Sequence, residues 1–217
     1  MASVERDYGM RKTAGGTVRG LALAAVLGAT LAGCSYGRVN SRDYAQPTAA
    51  QALPAGSTIA VLPFENLTNH ANAGLVAGDL VSTELYTLGL FRVSEASRVR
   101  NHLASAKLDA EKLSDGATAQ EIGRALGVDA VLVGSVSEYG YQHGLREEPV
   151  VGLNARIVST RDGAVLWASS QSEAGRGYFS RDSVNNVAQR VVTRMLSGLK
   201  DGFSPAVSES ARPAAGG

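Results

Sequence analysis

Hydrophobic patterning is densest between residues 58 and 200, and it switches between a period of two and a period of 3.6. Thr58-Ile59-Ala60-Val61-Leu62-Pro63-Phe64 is a short apolar run closed by proline, the pattern of a buried strand. Glu65 to Asn72 (ENLTNHAN) is polar and predicts a loop. From Ala73 to Leu88, the residues Ala77, Leu80, Val81, Leu85 and Leu88 share one helical face, with Asp79, Ser82 and Thr83 opposite. Gly89 suits the position just past a helix end. Leu90 to Val93 predicts a second short strand. Glu95 to Ala106 predicts a second helix, with Val99, Leu103 and Ala106 in register. Thr118-Ala119-Gln120-Glu121 has capping-box spacing and predicts a helix start. Its stripe is Ile122, Ala125 and Leu126, and Gly127 ends it. Asp129 to Val136 predicts a central strand. Val151 to Val158 alternates, with Val151, Leu153, Ala155 and Ile157 on one face and Asn154 and Arg156 on the other. Arg161-Asp162-Gly163 predicts a hairpin turn into Ala164 to Ser170, a return strand holding Trp167. Ser180 to Leu199 predicts the last helix, with Val184, Val187, Ala188, Val191 and Met195 on one stripe.

The order β-α-β-α-α-β-β-β-α predicts a single α/β domain, a mixed β-sheet covered by helices, over residues 58–200. The flanks lack periodicity. Residues 34–57 are rich in Ala, Pro, Gln, Ser and Gly and read as a flexible tether. Residues 201–217 read as a disordered tail.

Ahead of the tether lies a processing signal over residues 1–33. Arg11, Lys12 and Arg19 form a basic region, and Leu21 to Gly33 is an apolar run. The run falls short of the roughly 20 residues that a membrane-spanning helix needs. It has the length of a signal-peptide core, about 7–15 residues. Met10 is an alternative start to Met1, because residues 1–9 add mixed charge. Leu31-Ala32-Gly33-Cys34 resembles the bacterial lipobox, in which a cysteine thiolate accepts the lipid before cleavage. Cys34 is the only cysteine and the expected lipidation site, and several acyl chains make a stable anchor. Ser35 follows, where lipoproteins kept in the inner membrane typically carry Asp. The expectation is therefore an outer-membrane lipoprotein facing the periplasm.

Charge and chemistry narrow the function. The first 33 residues hold four of the 21 basic and two of the 20 acidic side chains, leaving a net charge of −1 on the rest. No basic excess points to nucleic acid. A single cysteine excludes an intramolecular disulfide and a thiolate metal cluster. His70, His102 and His143 are scattered, so no metal site is expected. Gly134-Ser135-Val136-Ser137-Glu138 misses the nucleophile-elbow pattern. Glu147-Glu148 reads as a solvated tip. No catalytic constellation and no cofactor are expected.

The segments TIAVLPFENLTN, LGLFRVSEASRVRNHL, AQEIGRALGVDAVLVGSVSEYG and LNARIVSTRDGAVLWASS, in that order, resemble the periplasmic domain of the CsgG-like family of bacterial envelope lipoproteins. That family includes the curli secretion channel. Related folds occur in the LpoB activators of peptidoglycan synthases, the PelC exopolysaccharide-export lipoprotein and the amino-terminal domain of TolB. The resemblance implies a non-enzymatic protein that works by assembly and docking, as a homo-oligomer with envelope protein partners. It implies a scaffold or accessory role in export or assembly, with an LpoB-like activator as the alternative. The curli channel builds its pore from two long amphipathic hairpins per subunit. Here the corresponding connections, Ser137 to Val150 and Ser170 to Ser180, are short, and the first carries Arg146, Glu147 and Glu148. A ring-forming domain without a pore is therefore expected. Loops on a rigid scaffold usually carry recognition, which makes Glu65, Asn66, Asn69, Tyr139, Tyr141 and Arg146 the candidate partner-binding residues.

Overall fold

The three long strands that follow the third predicted helix form the centre of a seven-stranded mixed sheet. The computed structural model describes residues 39–108, 113–143, 147–175 and 182–203. The strands are β1 (Val39–Ala45), β2 (Thr58–Val61), β3 (Glu65–Asn66), β4 (Arg92–Val93), β5 (Ala130–His143), β6 (Glu147–Ser159) and β7 (Val165–Ala174). The helices are α1 (Ala49–Ala52), α2 (Ala73–Leu88), α3 (Ala96–Ala106), α4 (Gly116–Leu126) and α5 (Val184–Phe203). The sheet order is β1-β7-β6-β5-β2-β4, and β3 pairs with β5 beyond the end of β2. The β5, β6, β7 and β1 pairings are antiparallel, whereas β2 runs parallel to β4 and β5.

Strand alternation sends successive residues to opposite faces, and two cores result. On one face Ile59, Val61, Leu132, Leu153, Ile157 and Trp167 pack with the apolar stripes of α1, α2 and α5. On the other, Ala60, Leu62, Val131, Val133 and Val158 pack under α3 and α4. Gly89 and Gly127 close α2 and α4 in left-handed backbone, with φ of 66° and 67°. Both are glycines because an L side chain resists that region.

Several expectations need correction. The stretch read as a tether contains β1, which pairs with β7 over all seven of its residues, and α1, whose Ala49 is fully buried. Every residue of β1 is exposed, so no apolar alternation marks it. Backbone pairing holds it in place, together with Ser41 and Asp43 reaching Gln171 and Ser169. The observed order is accordingly β-α-β-β-α-β-α-α-β-β-β-α. The loop expected at Glu65 to Asn72 begins with β3. The connection expected at Ser137 to Val150 is mostly strand: β5 and β6 continue past a bulge at Val136/Glu138 for six more rungs, from Glu138↔Gly152 to His143↔Glu147. The cap of α4 is Asp115, not Thr118: its carboxylate accepts the Thr118 N–H at 2.9 Å. Finally, α5 runs four residues beyond Leu199, because Phe203 packs edge-on against Phe91 at 5.3 Å between ring centres.

Candidate partner-docking surface

The sequence-predicted recognition residues divide between two places. Asn66 staples its own loop. Its Oδ1 accepts the Thr68 N–H at 3.1 Å and the Thr68 hydroxyl at 2.7 Å, and its Nδ2 donates to the His70 carbonyl at 2.9 Å. That is the short-range bonding that makes Asn a turn residue. Asn69 and Leu67 are left exposed at the loop tip, Leu67 by 60%. The loop then leans on the β5–β6 hairpin, where the His70 and Tyr139 rings lie 4.9 Å apart, tilted by 57°. The Tyr139 hydroxyl donates to Asn185 Oδ1 at 2.7 Å, and burial pushes the phenol's pKa up, keeping it a neutral donor. Tyr141 is exposed beside them. His70, Tyr139, Gly140, Tyr141, Ser183 and Asn185 border a cavity of about 220 Å³.

Glu65 belongs to the other face of the sheet. Its carboxylate accepts the Ser114 hydroxyl at 2.6 Å, and the Ser114 carbonyl in turn accepts from Arg156. Cys34 and Arg146 lie outside the described residues.

That second face holds what sequence reasoning missed. Helices α3 and α4 cover β2, the first half of β5 and the end of β6 at Val158, but leave the face bare over the middle of β6, β7 and β1. The pairing registers line up one side chain per strand there: Arg42↔Ser170, Ser170↔Asn154, Asn154↔Ser135 and Ser135↔Glu65. Five strands thus present a single polar row, with a cation at one end and an anion at the other. The next row is Tyr44, Ala168, Arg156 and Val133. These residues line an open groove of about 550 Å³. The polar alternation at Asn154 and Arg156 was visible in the sequence. Its continuation through Ser170 to Arg42 was not, because β1 carries no apolar alternation.

A third polar group is buried. Ser169, Gln171 and Glu173 alternate along β7 towards α5, and Glu173 is only 4% exposed. Arg190 Nε donates to Glu173 Oε1 at 2.7 Å, Arg194 Nη2 lies 2.8 Å from Oε2, and Arg190 also grips Asp182 at 2.7 and 3.1 Å. This network ties strand to helix. The chemistry on offer at both surfaces is hydrogen bonding and ion pairing. Among the described residues no group of three or more His, Cys, Asp or Glu side chains converges as metal ligands. His70 bonds the Ala71 carbonyl, and His102 is half-buried on α3.

The family model for the curli production assembly/transport component CsgG matches residues 41–145, from within β1 to just past the end of β5. No curated protein matches the sequence. Among solved structures, the PelC dodecamer from Paraburkholderia phytofirmans is similar at 26% identity and a TM-score of 0.55, over 75% of this chain and 97% of that one. Lipoprotein GNA1162 from Neisseria meningitidis is similar in fold, at 24% identity and a TM-score of 0.51, over 67% of this chain and 99% of that one. With the mixed sheet, the helix order and the family match in agreement, this chain has a CsgG-like fold, similar to that of PelC.

Proposed function

We propose that this protein is a non-enzymatic, outer-membrane lipoprotein that serves as a scaffold or accessory component in envelope export or assembly, and that it works as an oligomer. The observation that carries the reading is its similarity, over three quarters of its length and nearly all of the relative's, to a protein that forms a dodecamer. The other relatives' names, a curli assembly and transport component and a lipoprotein, point to the same setting. Closed rings arise when one flank of a subunit meets a different flank of the next. The His70–Tyr139–Tyr141 end and the bare sheet face are two such unlike surfaces.

The position of β1 bears on the alternative, an activator docking on an inner-membrane peptidoglycan synthase. Lipid on Cys34 would leave five residues to Val39, which span at most about 18 Å in any conformation. An activator of that kind has to reach across the periplasm, so the short link favours work close to the anchoring membrane.

The test is fractionation and light scattering on the same material. Cys34→Ser is expected to release the protein from membranes or leave it unprocessed, while the wild type in detergent runs as a multimer. A Cys34→Ser protein that fractionates with the membranes like the wild type, or a wild type that stays monomeric at high concentration, would contradict the reading.

A further inference from the structure

The groove on the bare sheet face has a charge pattern that the fold does not use. Among the described residues, neither Arg42 nor Arg156 ion-pairs with a carboxylate. The Arg42 guanidinium makes, among the described residues, only a 3.4 Å contact with the neighbouring Ser41 carbonyl. Arg156 is held in place by the Ser114 carbonyl, and Ser114 is held by Glu65, so the far wall of the groove is organised in advance. Arg42 therefore stands at one end of the groove, on β1, and Glu65 at the other, on β3, with Arg156 on the middle strand and tied towards Glu65 through Ser114. Between them Ser170, Asn154 and Ser135 offer neutral donors and acceptors at each strand spacing, with Asn154 Nδ2 3.4 Å from Ser135 Oγ. Tyr44, 52% exposed, stands on the rim.

We infer that this groove binds an extended peptide segment lying across the strands, acidic where it meets Arg42 and basic where it meets Glu65. The spacing sets its length. Five strands at about 4.8 Å place Arg42 and Glu65 about 19 Å apart, the reach of roughly six extended residues. The charges set its direction, because a charge-assisted hydrogen bond is about twice as strong as a neutral one. The Ser and Asn floor suits the amide groups of an extended backbone. A neutral glycan would fit the floor but leave both charged ends without a counter-charge. A second copy of this chain is the other occupant to be distinguished. The inference does not depend on self-association.

The probe is a synthetic acetylated hexapeptide amide, Asp-Ser-Gly-Ser-Gly-Lys, with Asn-Ser-Gly-Ser-Gly-Gln as its uncharged twin. Each is dialysed to equilibrium against the full-length protein in detergent, with light scattering on the same samples. The charged peptide is expected to bind more tightly than its twin by about ten-fold, the scale of one hydrogen bond to a charged group. Arg42→Ala should abolish the difference and Arg42→Lys should restore part of it. Arg42 is exposed, so its loss leaves the core intact; circular dichroism of the variant checks this. Equal binding of the two peptides, no saturable binding up to about 10 mM, or binding indifferent to Arg42→Ala would overturn the inference. A fall in oligomer mass on Arg42→Ala, without peptide binding by the wild type, would assign the groove to a neighbouring copy and overturn it too.

Discussion

Asp115 shows how much a single capping oxygen decides. The sequence offered Thr118 with Glu121 three residues later, but the helix starts one turn earlier, on Asp115. Its carboxylate accepts both the Thr118 N–H at 2.9 Å and the Thr118 hydroxyl at 3.0 Å. Those two bonds, the backbone one first, hold its carboxyl below the ordinary value of 3.8. A lowered folded pKa means that the stabilisation is present above the ordinary pKa and is lost as pH falls through the lowered one. Glu95, capping α3 through Ser97 and Arg98, and Asp162 in the β6–β7 turn are shifted the same way. Helicity should therefore decline on acidification below about pH 4. Asn keeps the capping oxygen without the charge. Asp115→Asn is expected to preserve helicity at neutral pH and to make the acid decline shallower, as read by circular dichroism. An acid limb identical to wild type would show that the Asp115 cap carries no linked protonation.

At the scale of elements, β7 and α5 are joined by charge as well as by apolar packing. Trp167 and the α5 stripe of Val187, Val191 and Met195 form the dry part of the contact. Further along, Glu173 sits almost fully buried between Arg190 and Arg194. Removing Glu173 takes a partner from both arginines, but Arg190 and Arg194 are 35% and 36% exposed and Arg190 keeps Asp182, so the cost is about 1–3 kcal/mol. Glu173→Ala is therefore expected to lower unfolding stability by about that much in urea titrations. A change below about 0.5 kcal/mol would class the network with ordinary surface ion pairs. The same strand explains β1. Ser169 and Gln171 bond Asp43 and Ser41, so an edge strand with no buried residue is held by the polar residues of its neighbour.

For the whole molecule the decisive dimension is the β5–β6 hairpin. Its strands contain 14 and 13 residues, but most of that length is core sheet. Only six rungs extend past the bulge, and Glu147 and Glu148 are exposed along them. A strand that crosses a bilayer needs about 9–11 residues and an apolar band facing lipid. On the lipid face, charged side chains destabilise such a strand. The purified, lipidated protein in planar bilayers is therefore expected to give no steady conductance. Large, stable single-channel steps would show that the hairpins cross the membrane after all.

Periodicity alone determined most of the core. The stripes of α2 and α5, Val99 and Leu103 of the α3 stripe (its Ala106 is exposed), the alternation of β6, the Asp-Gly turn and the two glycine helix ends stand where the pattern placed them, because each follows from burying one face of a local repeat. The order of the segments was enough to point to the family. What lay beyond the sequence was everything held by distant partners. β1 has no apolar period, since its stability comes from pairing with β7, more than 120 residues away. The hairpin extension looked like a loop because polar and glycine residues interrupt its pattern, and only the neighbouring strand and α5 keep it extended. Glu65 and Asn66, adjacent in the chain, went to different tasks because a strand turns successive side chains to opposite faces. The polar row from Arg42 to Glu65 needs five strands in register, so only the tertiary structure assembles it.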